Sequence, residues 1–208
     1  MKTNFFIVLI YIGTSAVAAR AQNAVEPSER KFYLDFGGAV GVFIPFDQTN
    51  DPKTLYGSNA MTYLQLNYQR HLFTKLQFGQ TTVNFKSQSV FGTVTSQFNS
   101  KANSTNLGLS TGYQQNFGKW QPFILLGAGA SFIDIPTTAF DTKANTVSYT
   151  TASTTNLYIN AGAGVNFKLS KGYIIFLEAQ ASTIPDLPKS SYTHLSGISV
   201  VIGLKAPL

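Results

Sequence analysis

Two carboxylates fall inside segments that otherwise alternate between apolar and small or polar residues. Asp35 lies in the segment 32–44 and Glu178 in the segment 173–182. Carboxylate pairs perform general acid–base catalysis, but these segments are well separated in chain order, and an unpaired buried charge is costly. We therefore expect each carboxylate to have a structural partner. Lys205, near the end of the last alternating segment, is the partner predicted for Asp35, while the pattern predicts none for Glu178.

One short motif could support nucleophilic chemistry. His194 and Ser196 are two residues apart, so they share one side of an extended segment, where a histidine could activate a serine hydroxyl. No acidic residue is placed to orient His194, which favours a polar loop edge leading into a strand. Two histidines and no cysteine make a metal site improbable. We therefore predict no catalytic residue, no metal and no cofactor.

The composition argues against an ordinary soluble enzyme. Charged residues make up 12% of the 208 residues, about half the usual share, and Thr, Ser, Asn, Gln and Gly take their place. Aromatic residues at 13% argue against disorder. The absence of Cys excludes disulfides, thiolate metal ligands and a lipidated N-terminal cysteine.

The N-terminal segment has the layout of an export signal. Lys2 precedes an apolar run over 5–12, and small residues end in Ala19-Arg20-Ala21, the pattern of a cleavage site. The run is shorter than the ~20 residues of a spanning helix. We predict a signal peptide over 1–21, cleaved after Ala21, followed by one domain over 22–208. The few remaining excess basic residues do not predict a nucleic-acid partner.

The rest of the chain has the period of two that is typical of strands with two different faces. In the clearest case Leu157, Ile159 and Val165 fall on one face, and Asn160 and Asn166 on the other. A phase change between Phe78 and Val83 predicts a bulge over 79–82. The pattern predicts eight strands, over 32–44, 60–71, 75–86, 105–117, 120–133, 156–169, 173–182 and 195–205.

The connections between these strands alternate in length. Short ones fall at 71–74, 118–119 and 170–172, and long polar ones at 45–59, 87–104, 134–153 and 183–194. Strict alternation predicts an antiparallel up-and-down meander in which both chain ends lie on the short-turn side.

Three features place the apolar face against lipid. The ranges 102–118, 120–133 and 144–167 contain no Asp, Glu, Lys or Arg, whereas water-facing sheets carry charge. Strands of about ten residues, tilted ~40°, span the ~25 Å lipid-facing band. Aromatic residues gather near the short turns, as in an interfacial girdle. Lipid offers an open strand edge no partner, so the sheet must close, and eight strands leave an interior filled by side chains.

The predicted fold is thus all-β, an eight-stranded antiparallel transmembrane barrel with its apolar face outward and a polar interior. Residues expected to face lipid are Leu64, Leu66, Leu107, Leu109, Ile124, Leu126, Leu157, Ile159, Val165, Ile175, Leu177, Ile198, Val200 and Ile202. The expected interior network comprises Asp35, Lys205, Glu178, Gln65, Asn67, Gln114, Asn160 and Gln180. Interfacial aromatics expected near the short turns are Phe32, Tyr68, Phe73, Phe117, Trp120, Phe167 and Tyr173, with Phe43, Phe85 and Phe132 as candidates for the opposite girdle.

The export signal, the eight alternating strands, the rhythm of the connections and the last strand over 198–205 together resemble the small outer-membrane β-barrel domain of the OmpA/OmpX kind. The resemblance covers essentially all of 22–208. It implies location in the cell outer membrane, insertion by an assembly machinery that reads the last strand, and contact with outer-membrane lipids and lipopolysaccharide as a monomer. The chain ends in Ala206-Pro207-Leu208, where many such proteins end in an aromatic residue.

The favoured function is a non-catalytic one, either structural or by surface interaction through four long extracellular loops. One alternative is an enzyme similar to outer-membrane lipid A deacylases, which carry a His-x-Ser motif like that of His194 and Ser196, although Gly197 stands where that family has Asn. A second alternative is a secreted, soluble lipocalin-like barrel that holds a small apolar ligand, with Leu157, Ile159 and Val165 inside.

Overall fold

The structure is a computed structural model that describes residues 31–46, 56–91, 94–141, 146–169, 172–185 and 195–208, with side chains except at 85–91, 94–100, 135–141, 146–150 and 152. The predicted signal peptide lies outside these residues. Within them, no helix is long and apolar enough to cross a membrane. The strands are β1 (Phe32–Pro45), β2 (Gly57–Tyr68), β3 (Leu72–Phe91), β4 (Val94–Gln114), β5 (Trp120–Asp141), β6 (Thr146–Lys168), β7 (Ile174–Thr183) and β8 (Gly197–Pro207).

The eight strands form a closed barrel in chain order, as predicted. Every neighbouring pair is antiparallel, and β1 closes the sheet by pairing with β8 from Asp35↔Pro207 to Pro45↔Gly197. Closure gives each strand of the wall a partner on both sides, which satisfies the backbone where no water is present.

Side chains alternate across the wall in the predicted sense. Along β7, for example, Ile175 and Leu177 are exposed, whereas Phe176 and Glu178 are buried. All the predicted lipid-facing residues are exposed except Ile159, Val165 and Val200, which are half-buried at outward positions. Leu157 is 48% exposed, so the lipocalin-like arrangement, with these side chains converging inside, is wrong.

The predicted bulge in β3 is absent. The pairing of β3 with β4 runs unbroken from Leu72↔Tyr113 to Phe91↔Val94. Val83 is instead an inward apolar side chain with no exposed surface. The apparent phase change therefore marks a change in the interior, from polar to apolar, and leaves the backbone register intact.

Within the described residues, two of the predicted long loops form strands. The segments 87–104 and 134–153 extend the β3–β4 and β5–β6 hairpins to Phe91↔Val94 and Asp141↔Thr146. Their polar sequences are rich in Thr, Ser and Val, residues that suit a β ladder even without lipid on one face. The change to a polar sequence shows where the strands leave the lipid-facing apolar band. It does not show where the strands end.

The turn between β2 and β3 is tight and held by backbone hydrogen bonds. Three residues separate the paired Tyr68 and Leu72. Gln69 and Arg70 both have positive φ, 48° and 64°, and the His71 N–H donates to the Tyr68 carbonyl at 3.2 Å. The Gln69 N–H also donates to the Lys31 carbonyl at 2.9 Å. This turn therefore fixes the backbone at the start of β1 beside Arg70.

Inward aromatic rings fit the narrow barrel because glycines lie opposite them. Tyr63 pairs with Gly37 across β1–β2, and Phe123 with Gly164 across β5–β6. A Cβ at either glycine would lie 2.5 Å from the facing ring, far inside contact distance. Phe73 over Gly112 and Phe176 over Gly203 repeat the arrangement. Glycines of the inner face thus make room for rings that cross from the neighbouring strand.

Candidate functional site

The interior nearest the short turns holds a connected polar network. Asn67 donates to Asp35 Oδ2 at 2.9 Å, and Gln65 donates to Asn67 Oδ1 at 2.7 Å. Gln114 reaches the same Asn67 oxygen at 3.4 Å. Lys205 Nζ lies 4.0 Å from Asp35 Oδ2 across the β1–β8 seam. The structure thus brings the predicted partners of the closing seam together, and all five side chains are buried.

A second ion pair crosses the lumen of the barrel. Lys75 of β3 donates to both oxygens of Glu178 of β7, at 2.8 and 3.1 Å. These strands are four apart in a barrel of eight, so their side chains meet from opposite walls. Gln180 donates to Glu178 Oε1 at 3.2 Å, and the Lys75 ammonium lies 4.5 Å from the centre of the Tyr63 ring. Lys75 is therefore satisfied on several sides while 2% exposed.

Lys75 is the partner that sequence analysis did not assign to Glu178. A signal was present, because Leu76 and Phe78 face outward and alternation then turns Lys75 and Gln77 inward. Gln77 indeed receives a hydrogen bond from Gln180 at 3.5 Å, again between β3 and β7. What the sequence could not give was the register around the barrel, which brings these two strands to the same height.

The middle of the interior is uncharged and polar. Ser110 and Asn160 bond to each other, with Asn160 Nδ2 donating to Ser110 Oγ at 3.3 Å, and Ser104 and Ser131 share a contact of 2.7 Å. Asn59 of β2 donates to Ser199 of β8 at 2.8 Å. These bonds join adjacent strands or strands two apart in the barrel, without charge.

A small cavity adjoins the charged groups. Asn166, Gln114, Lys205, Phe123 and Glu178 contribute to its lining. Both polar atoms of the Asn166 side chain and the Oε1 of Gln114 are buried without a hydrogen-bond partner among the described residues. Orphaned buried amides are uncommon in native proteins. Of these two described side chains, Asn166 is the one held by no hydrogen bond to a described residue, whereas Gln114 still bonds through its Nε2.

The long-hairpin end of the interior is apolar. Phe43, Val83, Ile133 and Tyr158 pack together with Ala102, Ile184 and Leu195 in one cluster, which we call the plug. Its members come from five strands (β1, β3, β4, β5 and β6) and from residues next to β7 and β8. The expectation of a wholly polar interior is therefore incomplete, because an apolar layer closes this end.

Six of the seven aromatic residues predicted for the girdle at the short-turn end are exposed or half-buried, and one, Phe73, lies inside the barrel. Phe32 packs on Tyr68, with ring centres 5.0 Å apart, and Trp120 packs on Phe167 at 4.7 Å. Phe117 is exposed and Tyr173 half-buried. Phe73, assigned to the girdle, is 3% exposed and packs edge-on against Phe123 inside the barrel. Its position next to a turn suggested the interface, but its phase in β3 turns it inward.

The aromatic candidates for the girdle at the long-hairpin end differ in where they point. Phe132 is outward and 47% exposed, whereas Phe43 is 1% exposed in the plug. Phe43 shares its inward phase with Asp35 and Ala39 of the same strand, so alternation overrides proximity to the strand end. The side chain of Phe85 lies outside the described residues.

Ser196 is engaged at the end of β7. Its Oγ accepts the Ile184 N–H at 3.2 Å and lies 3.4 Å from Thr183 Oγ1. His194 lies outside the described residues, so the proposed His–Ser pair has no geometry here. Within the described ranges, no group of three or more His, Cys, Asp or Glu side chains is arranged to hold a metal ion.

Chemically, the interior consists of neutralised charges and short polar bonds around a blocked lumen. Two acidic and two basic side chains balance each other, and the Lys75–Glu178 bridge crosses the axis. Such an arrangement is typical of a stable barrel whose interior is filled by side chains.

Comparison with known proteins agrees with this architecture. No curated protein has a sequence that matches this chain. The solved structure of neisserial surface protein A (NspA) has a TM-score of 0.54 at 10% identity, over 85% of this chain and 97% of that one. At this identity the likeness is one of fold. The N-terminal barrel of Pseudomonas aeruginosa OprF gives 0.46 at 11% identity, over 85% and 98% of the two chains. Ail of Yersinia pestis gives 0.46 at 14%, over 85% and 97%.

A family match covers most of the chain. Residues 9–202 match the family described as the outer membrane protein beta-barrel domain. The chain therefore belongs to the outer membrane protein beta-barrel domain family and is a protein of the outer membrane.

Proposed function

We propose that this protein is a non-catalytic outer-membrane barrel that acts by surface interaction at its long-hairpin end. The observation that carries the proposal is the extension of two hairpins past the barrel wall. Pairing of β3 with β2 stops at Thr82, but β3 continues with β4 to Phe91. Pairing of β5 with β4 stops at Asp134, but β5 continues with β6 to Asp141.

The projecting ladders are long relative to the wall. At ~3.4 Å per residue, residues 83–91 and 135–141 correspond to about 30 and 24 Å of strand. Beyond the wall, the outer edges of these hairpins have no strand partner among the described residues. An open strand edge displays unpaired N–H and C=O groups. Such edges, carried on a rigid barrel, suit contact with an external molecule.

The interior supports a role at the surface in preference to conduction. The Lys75–Glu178 bridge crosses the lumen, and the plug fills the long-hairpin end. We propose accordingly that the protein is a monomer, that outer-membrane lipids and lipopolysaccharide surround its wall, and that the outer-membrane assembly machinery inserts it.

The experiment shortens the hairpins while keeping the wall. In one variant a two-residue turn replaces residues 86–99, and in another it replaces 137–150. We expect both variants to insert and to keep the heat-dependent gel mobility of a closed barrel. Cells producing the wild-type protein should show a gain of adhesion to other cells or to extracellular matrix, and cells producing the shortened proteins should lose it.

Two results would contradict the proposal. One is equal adhesion of cells carrying wild-type and doubly shortened protein. The other is failure of a membrane-impermeant amine reagent to label Lys101, an exposed residue of β4 beyond the wall, on intact cells, since that would place the hairpins on the inner side. A Ser196→Ala variant serves as the catalytic control, and we expect it to leave lipid A acylation unchanged.

A further inference from the structure

The outward apolar surface of the barrel does not reach the same height on every strand. On β3 it ends at Phe78, and the next outward positions are Gln80 and Thr82, both half-buried. On β5 it continues through Ala130 to Phe132, which is 47% exposed. The two strands therefore differ in how far their lipid-facing surface extends toward the long hairpins.

The register of the sheet allows heights on different strands to be compared. A path through paired residues that starts at Asp35 of β1 and passes once through all eight strands returns to β1 at Pro45, ten residues further toward the long hairpins. Such a shift corresponds to strands tilted by ~40° from the barrel axis. Each step along a strand then rises ~2.5 Å along this axis, and each step to the paired residue of the next strand rises ~3 Å. Gln80 and Ala130 therefore lie within about 2 Å of the same height.

Three neighbouring strands carry uncharged polar side chains at this height. They are Ser58 of β2, Gln80 and Thr82 of β3, and Thr105 of β4, which we call the polar notch. Elsewhere the outward side chains at comparable height are apolar, with Ile44 on β1, Ala130 on β5, Ile159 on β6 and Ile198 on β8. Thr183 on β7 is a single polar position outside the notch. The apolar surface of β2, β3 and β4 thus ends about 8 Å lower than that of β5 and β6.

The apolar surface is level at the opposite end. The outward residues nearest the short turns on β2, β3, β5 and β6 lie within about 4 Å of one height; they are Tyr68, Leu72, Trp120 and Phe167. A barrel that tilted in the bilayer to bring the notch to the membrane surface would displace this end as well. Because the difference is confined to the long-hairpin end, a bilayer that is locally thinner fits both ends.

A polar side chain against acyl chains has no hydrogen-bond partner, which is costly. A bilayer that meets a short apolar surface thins, at a small cost per ångström. Above the notch the outward side chains stay polar, with Asn84 and Asn103 half-buried and Lys101 exposed, so lipid headgroups reach the notch without crossing apolar surface. We propose that the polar notch binds the headgroup layer of the adjacent leaflet, which dips along β2, β3 and β4. The proposal is independent of which side of the membrane the long hairpins face.

The chain contains no Cys, so a single nitroxide label can be placed at any chosen position. Gln80→Cys and Ala130→Cys carry labels at equal height on β3 and β5, and Thr74→Cys and Ile124→Cys are the matched pair nearer the short turns. The barrel is reconstituted in phosphatidylcholine bilayers, and collisions with oxygen and with a water-soluble nickel chelate report the depth of each label. We expect the label at residue 80 to lie at least ~5 Å closer to the headgroups than the label at residue 130. The labels at residues 74 and 124 should lie at equal depth.

Further substitutions test whether the polarity of the notch causes the difference. With Ser58→Leu/Thr82→Leu/Thr105→Leu, the label at residue 80 should sink to the depth of the label at residue 130. The control Ser58→Thr/Thr82→Ser/Thr105→Ser keeps the hydroxyl groups and should leave the label shallow. Heat-dependent gel mobility verifies that each variant is a closed barrel.

Four results would overturn the proposal. Two are equal depths of the labels at residues 80 and 130, and a label at residue 80 that stays shallow after the leucine substitutions. The third is the same depth difference between residues 74 and 124, which would show a tilted barrel in a bilayer of uniform thickness. The fourth is shielding of residue 80 from both oxygen and the nickel chelate, which would show a protein partner on the notch.

Discussion

The two ends of the barrel interior solve the same packing problem with opposite chemistry. Near the short turns, Lys75–Glu178 and Asp35–Lys205 balance charge inside a network of amides. At the long-hairpin end, Phe43, Val83 and Ile133 pack as in the core of a soluble protein. The comparison shows that inward positions of a small barrel need side chains that fill space, and that either bonded polar groups or apolar groups can do so.

The largest expected effect comes from the charged end. Glu178→Gln would leave the Lys75 ammonium buried without its counterion, which should lower the free energy of unfolding by about 3–5 kcal/mol. Urea unfolding in bilayers, followed by Trp120 emission, measures it. The double variant Lys75→Met/Glu178→Leu removes both charges and should recover most of the loss. A change below ~1 kcal/mol in Glu178→Gln would show that the bridge does not form.

The apolar end should respond to loss of volume. Phe43→Ala removes a ring from the plug and should cost about 3 kcal/mol. Phe132→Ala, at the same end but 47% exposed toward lipid, should cost about 1 kcal/mol or less, because acyl chains fill the space. Equal costs in the same unfolding assay would mean that the plug is no better packed than the lipid-facing surface.

A weaker ion pair gives a smaller loss. Asp35→Asn should cost about 1–2 kcal/mol, less than Glu178→Gln, because Lys205 lies 4.0 Å from the Asp35 carboxylate and the new amide can still bond to Asn67. The ranking of the two variants in one denaturation series is the readout. If Asp35→Asn were the more damaging, the seam pair and not the cross-lumen bridge would dominate the charged end.

The smallest effect distinguishes bonded from unbonded amides. Asn166→Leu removes two buried polar atoms that have no partner in the described structure, so stability should stay within ~1 kcal/mol of the wild type or rise. Asn67→Leu breaks bonds to Asp35 and Gln65 and should cost about 2 kcal/mol. Equally large losses in both would show that Asn166 has a bonding partner.

Alternation in the sequence was enough to predict the barrel, its strand order and the sense of its faces. It also predicted the height of Asp35 and Lys205, because strands one and eight must meet in any closed barrel. It failed for Phe73 and Phe43, where nearness to a strand end was given more weight than phase. It also missed Lys75 opposite Glu178, since contacts across a lumen depend on the stagger of all eight strands.

The hairpin extensions could not be predicted for a different reason. Segments 87–104 and 134–153 lose the apolar alternation once they leave the lipid-facing band, and polar strands then read as loops. Backbone pairing continues to Phe91 and Asp141 because the two strands of each hairpin keep bonding to each other after their other neighbours have ended. Only coordinates distinguish a polar ladder from a polar loop of the same composition.

Two adjacent leucines of β5 provide the most direct test of which face meets lipid. Leu126 is 61% exposed, and Leu125 is 5% exposed beside Phe73 and Phe123. Methyl-labelled protein in lipid nanodiscs would be examined by NMR for cross-relaxation with acyl chains. We predict acyl-chain signals at Leu126 and only aromatic-ring signals at Leu125. Acyl-chain signals at Leu125 and none at Leu126 would contradict the orientation of the whole wall.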